Sequence, residues 1–261
     1  MTEAIRPYRT GPAEFDGIAP GYDESRGGAA RADGFAEQLS PLLDPALPVL
    51  DIGVGTGIVA AALTRRDRRT VFGVDLSPGM LALARGRLGP RVAVGDAGRL
   101  PVRTASVPQA VSTWLFHAGP DRTAVFREVA RVLRPGGRYL VIPVRGRRPV
   151  DDIGRVVNAL EDRLDPAGAR QDGPEALAPV AAAHGLVYEG TASERRTTFE
   201  VSPRHMARSL SGGLFTGAWP VGREDTRFVD EARERLLALP EPDRPRVREM
   251  TDFVMVFSRA A

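Results

Sequence analysis

Two kinds of residue in this chain are spaced for chemistry: glycines that open the backbone to a ligand, and acids that end apolar runs. Gly53, Gly55 and Gly57 follow the run Val49-Leu50-Asp51-Ile52 and precede a helix-forming segment that begins at Ile58. Alternate glycines predict a tight strand-to-helix turn, because positive φ angles and close approach of a ligand to the backbone both exclude a Cβ. The free amides of such a turn and the helix N-terminus behind it offer donors and positive potential. Asp75 ends a second apolar run, Thr70 to Val74, and its carboxylate is placed to accept from a pair of ligand hydroxyls. Asp96, in Gly95-Asp96-Ala97, either accepts from a ligand or closes an Asx-turn. For a dinucleotide fingerprint starting at Gly53, the third glycine position is Ile58, so a nicotinamide site is disfavoured.

Composition narrows the chemistry further. The 261 residues contain no cysteine, which removes disulfides, thiolate metal sites and cysteine nucleophiles. There is no lysine either, so all 36 basic residues are arginine, and neither Schiff-base chemistry nor a P-loop is available. The net charge is only +3, and the arginines are spread along the chain rather than massed in one stripe. That distribution argues for solvated faces and against a nucleic-acid partner. No apolar run is long enough for a bilayer, and residues 1–21 lack the pattern of a secretory signal. A cytoplasmic location, with no membrane and no metal, is the default expectation.

The elements that must position these residues alternate. Apolar runs near 49–52, 70–75, 91–95, 109–113 and 138–144 read as buried strands, and segments 58–63, 78–88 and 121–133 read as the helices between them. Ser77-Pro78 and Asp121 mark helix starts, and Arg134-Pro135-Gly136-Gly137 marks a turn. An amphipathic helix over 29–43 comes before the first strand. This βα repetition predicts an α/β fold, a Rossmann-like, mostly parallel sheet with helices on both faces. Beyond 144 the regularity fades into helices over 151–164, 175–184, 202–210 and 223–239, strands over 186–201 and 251–258, and a glycine-rich loop over 211–222. Counting those two strands, the sheet has seven. The expected organisation is an N-terminal arm or lid over 1–28, a ligand-binding core over 29–144, and a completing segment over 145–261 whose insertions cap a substrate.

Several ordered motifs resemble the class I S-adenosylmethionine-dependent methyltransferases, in particular the small-molecule branch with the ubiquinone/menaquinone-type domain. They are Tyr22-Asp23, Val49 to Gly57, Val74 to Leu81, Gly95-Asp96-Ala97 with Leu100-Pro101, and Arg131 to Gly137. The resemblance covers residues 15 to about 144. It implies S-adenosyl-L-methionine as cofactor and a small-molecule methyl acceptor as partner. Asp75 would take the ribose hydroxyls, Leu76 and Met80 the adenine faces, and Asp96 with Ala97 the adenine edge. Gly53, Gly55 and Gly57 would leave room for the methionine part, and Asp51 would order its amine or serve structure. Arg26 would pair its carboxylate or stay solvated, and Tyr22, Thr113 and Trp114 would stand near the sulfonium.

Methyl transfer from a sulfonium is an in-line displacement for which positioning supplies much of the rate. An acceptor that must lose a proton needs a base. His117, after the aromatic patch Trp114-Leu115-Phe116, is the first candidate, against a packed structural histidine; His205 is the second. His184, beside Gly185, reads as a helix-end residue. Trp114, Phe116, Phe215 and Trp219 are the expected acceptor contacts. An RNA methyltransferase is disfavoured by Ser112-Thr113-Trp114-Leu115 where amino-directed enzymes carry an Asn/Asp-Pro-Pro-aromatic segment. A protein that binds the cofactor without transferring its methyl group stays open, since its cofactor site would look the same.

Overall fold

The computed structural model describes residues 12–144, 149–165, 171–211 and 226–260. Seven strands form one sheet: β1 (Val49–Ile52), β2 (Val71–Asp75), β3 (Val92–Val94), β4 (Val107–Thr113), β5 (Leu133–Ile142), β6 (Leu186–Val201) and β7 (Arg246–Arg259). Their order is β3-β2-β1-β4-β5-β7-β6. The first five are parallel, and β7 runs antiparallel to both of its neighbours. The α/β expectation and the strand count both hold.

Alternation along each strand assigns its side chains to two cores. Val49, Val71, Val111, Leu140, Val254 and Val256 pack under α2 (Gly28–Leu39), α3 (Ile58–Asp67) and α4 (Pro78–Leu88). Leu50, Ile52, Val74, Ala110, Tyr139, Met255 and Phe257 pack on the opposite face under α5 (Arg122–Val132) and α7 (Pro174–Ala182). Every residue of β1 is buried, as a central strand covered on both faces must be.

The strand order reverses between β1 and β4, which opens a crevice at the carboxyl ends of these strands. Two additions stand at that end of the sheet. Helix α1 (Pro12–Ser25) lies against α4, with Asp16 accepting from the Ser77 hydroxyl at 2.5 Å and the Gly79 amide at 2.8 Å. Asp23 accepts from Thr56 Oγ1 at 2.6 Å and pairs with Arg87 at 2.7 Å. The segment expected as an arm is therefore a docked helix over its described length.

The second addition is the β6–β7 ribbon, whose pairing with β5 ends at Val141↔Met255 while its own continues to Val201↔Arg246. It rises past the crevice and carries a third apolar cluster, in which α6 (Asp152–Leu164), α8 (Pro203–Ser211) and α9 (Thr226–Leu237) bury Val156, Leu160, Leu210, Val229 and Leu236. Arg248 to Asp151 at 3.0 Å, and Arg246 to Asp152, tie α6 to the ribbon.

Boundaries differ in three places. The expected 29–43 helix ends at Leu39 and tightens into a 3-10 turn at Ser40–Leu42, where Pro41 removes a donor. The expected turn at 134–137 lies inside β5, as a register shift between the Val107 and Gln109 pairs. The last strand starts five residues before Thr251, because the ribbon outruns the sheet.

Candidate functional site

The crevice is built first from backbone. Gly53, Gly55 and Gly57 all take positive φ, at 77°, 55° and 74°. The Gly53 and Val54 amides bond the Val74 carbonyl at 2.8 and 3.0 Å, which stitches the turn to β2. A Cβ at Gly53 would stand 2.9 Å from Leu115 Cδ1, so the residue is glycine for space as well as for φ. Asp75, at the end of β2, accepts from the Gly55 amide at 2.8 Å and the Ser77 amide at 2.9 Å. Those two bonds hold the carboxylate still while leaving acceptor capacity toward the crevice. Burial raises its proton affinity above the ordinary carboxylate value, opposed by the amide bonds. Ser77 caps α4 by accepting from the Met80 amide at 3.1 Å, and this seats Met80 in the crevice wall.

Eleven residues expected at the site do line one cleft: Tyr22, Gly53, Gly55, Asp75, Leu76, Met80, Asp96, Ala97, Thr113, Trp114 and His117. Asp96 closes the Asx-turn and also lines the cleft, with one oxygen accepting from the Gly98 amide at 2.8 Å. The arrangement fits a nucleoside: a fixed acid at a strand end, a short turn with a second acid, and Leu76 and Met80 between them. Among the described residues, no group of three or more acids or histidines is arranged to hold a metal ion.

At the other end of the cleft the walls are side chains. Trp114 leaves β4 with φ at 57°, a left-handed conformation rare outside glycine, and its amide bonds the Ile142 carbonyl at 2.9 Å. The 3-10 turn Phe116–Ala118 follows. The Arg31 guanidinium of α2 lies 3.7 Å from the Trp114 ring centroid, Phe35 meets the indole edge-on at 5.7 Å, and His117 stands at 6.5 Å.

Five expected site residues lie elsewhere. Phe116 points into the core, stacked on Phe126 at 5.3 Å and 1% exposed, so it is no acceptor contact. It lies in the 3-10 turn after Trp114, where its ring turns into the second core while Trp114, Leu115 and His117 line the cleft. Gly57 is not in the wall; its missing Cβ makes room for Ala84 of α4, 3.1 Å away. Arg26 stands outside the wall, 5.7 Å from the Tyr22 ring. His205 is exposed on α8, apart from the cleft. Asp51 is 1% exposed beneath the turn, and burial raises its pKa to about 7, with Asp75 adding to the shift. Phe215 and Trp219 fall outside the described residues.

The structure adds wall residues that sequence reasoning did not assign to the site. Phe15 comes from α1, Leu115 from the aromatic patch, and Gly119, Pro120 and Asp121 from the entry to α5. Asp121 was visible only as a helix cap, a role it keeps by accepting from the Thr123 amide at 3.0 Å.

Residues 50–141 match a family model described as a methyltransferase domain. Over 138 residues the chain is 37% identical to methyltransferase GfsG of Streptomyces halstedii, covering 49% of this chain and 50% of that protein. Over 131 residues it is 36% identical to the demethylmenaquinone methyltransferase of Mycobacterium tuberculosis, covering 49% and 55%. The chain thus spans about half the length of the curated relatives it matches. Among solved structures, the [4+2]-cyclase SpnF aligns over 98% of both chains with a TM-score of 0.61 at 20% identity. A putative methyltransferase from Bacillus halodurans aligns over 87% of this chain and 99% of its own, with a TM-score of 0.59 at 19% identity. These two likenesses establish the shared fold. Residues 50–141, which carry the glycine turn and Asp75, are thus similar to a methyltransferase domain.

Proposed function

We propose that this chain, whose residues 50–141 match a methyltransferase domain, transfers a methyl group from S-adenosyl-L-methionine to a small-molecule acceptor. The observation that carries the reading is Asp75, fixed by the Gly55 and Ser77 amides at the mouth of a left-handed glycine turn. Bound S-adenosylmethionine would supply a methyl group already activated on a sulfonium. The protein's part is then binding, orientation and proton handling. Asp75 accepts from the ribose hydroxyls, Leu76 and Met80 flank the adenine, and Asp96 with the Ala97 amide read its edge. Gly53 and Gly55 admit the methionine chain, with Tyr22 and Thr113 beside it.

Trp114 and His117 bound the acceptor end. His117 takes the proton of an acceptor hydroxyl or acidic carbon, which keeps the nucleophile aligned with the departing sulfur. The described part of the ribbon-borne helical layer serves as a cap over that end. The acceptor is a small molecule rather than a nucleic acid, a reading supported by arginines spread along the sequence and by a curated relative named for demethylmenaquinone. The cyclase among the structural neighbours speaks to fold alone at its level of identity, and does not favour a non-transferring role. No helix among the described residues is long and apolar enough to cross a membrane.

Calorimetric titration with S-adenosylhomocysteine tests the reading, with NAD as control ligand and Asp75→Ala as control protein. Binding that is lost in the variant supports it. A preference for NAD, or no binding in the unaltered chain, overturns it.

A further inference from the structure

The turn that carries Asp96 belongs to a crossing without a helix. Residues 95–106 join β3 to β4 and contain only an isolated bridge, Asp96 to Arg99. Backbone groups outside helix and sheet still need partners, and here α5 supplies them. Arg131 donates through Nη2 to the Leu100 carbonyl at 3.1 Å and through Nη1 to the Val102 carbonyl at 2.9 Å. The Ala105 amide in turn bonds the Arg131 carbonyl at 2.9 Å. Glu128 accepts from the Leu100 amide at 2.8 Å, and from Arg131 Nε at 2.8 Å and Nη2 at 2.7 Å. It is 9% exposed and stands outside the cleft wall. The Arg131 bond holds its pKa below the ordinary carboxylate value, against the pull of burial.

Residues 96–99 therefore hang between two anchors. On one side the Gly95 amide bonds the Asp75 carbonyl at 2.9 Å, and on the other the Leu100 amide bonds Glu128. Between them the Arg99 amide closes on the Asp96 carbonyl at 2.9 Å. The first anchor is main chain, whereas the second is a single carboxylate. The same face of α5 meets the turn once more, four residues before Glu128, where a Cβ on Gly98 would lie 3.0 Å from that of Ala124. Ala124 walls the cleft beside Asp96, and Glu128 fixes how the turn sits against it.

We infer that Glu128 is a positioning residue for the nucleobase: by holding the Leu100 amide it fixes the Asp96 turn, and so sets how sharply the cleft separates a 6-amino purine from a 6-oxo one. This deepens the methyltransferase reading and rests on it. A carboxylate meets an amino group as a donor and a ring oxygen as a competing acceptor, so discrimination depends on where Asp96 stands. A turn freed at one anchor backs away from either ring. That loses the bond to the amino group and relieves the repulsion from the oxygen.

The probes are S-adenosylhomocysteine and S-inosylhomocysteine, which has oxygen in place of the 6-amino group, titrated calorimetrically into the full chain. The variants are Glu128→Ala, Glu128→Gln, Asp96→Ala and the double variant Glu128→Ala/Asp96→Ala, with near-ultraviolet circular dichroism as the folding control. The unaltered chain should prefer the amino ring by about 30-fold or more. Glu128→Ala should cut that preference by about tenfold, almost wholly through weaker S-adenosylhomocysteine binding. Glu128→Gln still offers an oxygen to Leu100 but drops the charge that Arg131 grips, and should cut it by about threefold. Adding Glu128→Ala to Asp96→Ala should change the preference by less than about twofold, because both act through one turn. Equal binding of the two probes by the unaltered chain overturns the inference. Glu128→Ala weakening both probes alike also overturns it, as the mark of a merely structural residue, and so does an additive loss in the double variant. If Glu128→Ala fails the folding control, Glu128→Gln decides: an unchanged preference overturns the inference. An unaltered chain that binds neither probe sinks the methyltransferase reading itself, whereas a preference that survives Glu128→Ala sinks this inference alone.

Discussion

The two ends of the cleft are made of different material. At the nucleoside end, Gly53, Gly55 and the amides that hold Asp75 define the surface, all within residues 53–77. At the acceptor end, Trp114 and His117 are side chains delivered by the end of β4 and the turn after it, with Arg31 of α2 backing the Trp114 ring from outside the cleft wall. Backbone geometry suits a ligand that never changes, because main-chain donors cannot be altered by point substitution. Side chains suit a ligand that differs from one relative to the next.

Phe116→Ala draws the line between wall and core most sharply. It should cost about 3–5 kcal/mol of folding stability, as for a buried aromatic truncated to alanine, and leave S-adenosylhomocysteine affinity unchanged below the transition. Chemical denaturation and calorimetry read the two quantities. An acceptor role would show the reverse pattern.

At the nucleoside end, Asp75→Ala removes a charged acceptor and frees the Gly55 amide, so cofactor-product affinity should fall by about 100-fold, roughly 2.7 kcal/mol. A loss below about threefold would mean that the turn binds without it.

Asp51 offers a pH test of what lies beneath that turn. Its pKa is about 7 in the fold against 3.8 as the ordinary value, so the folded state holds a proton that the unfolded chain has released between those values. Stability should fall as pH rises from about 4 to about 7, by roughly 2–4 kcal/mol from this group. Asp51→Asn removes the drop, so thermal melts should show its advantage over the unaltered chain growing from pH 5 to pH 8. An advantage independent of pH would break the assignment.

The acceptor end carries the least severe test. His117→Ala should lower turnover by about 10- to 100-fold on an acceptor that must shed a proton, with no change in S-adenosylhomocysteine affinity. Full turnover on such an acceptor would return His117 to a packing role.

How legible each end was follows from its material. The nucleoside end is local in sequence, and its residue types are forced: only glycine takes the φ of this turn cheaply, and an acid ends the neighbouring strand. Gly57 shows the limit, since its left-handed φ was foreseeable, whereas its role in admitting Ala84 depends on how α3 and α4 approach. Behind the acceptor end, Trp114 meets Arg31 and Phe35 of α2, and Arg195 reaches Asp252 through the ribbon's register, which shifts between Ala192 and Arg195. No period in the sequence announces that shift. Phe116 was misplaced because the 3-10 turn after Trp114 sends its ring into the core while its neighbours Leu115 and His117 stay in the wall.

The ties of α1 have a bearing on assembly order. Asp16 binds residues 61 and 63 positions further on, and the partner of Asp23, Arg87, is 64 positions away. None of these partners exists as a binding surface until β2 has paired and α4 has formed its first turn. The helix made first among the described elements thus docks on surfaces that lie later in the chain, and Phe15 and Tyr22 reach the cleft with it. The binding site closes on its N-terminal side only when the rest of that half is in place, so ligand recognition by this face reports a completed fold and not a partial one.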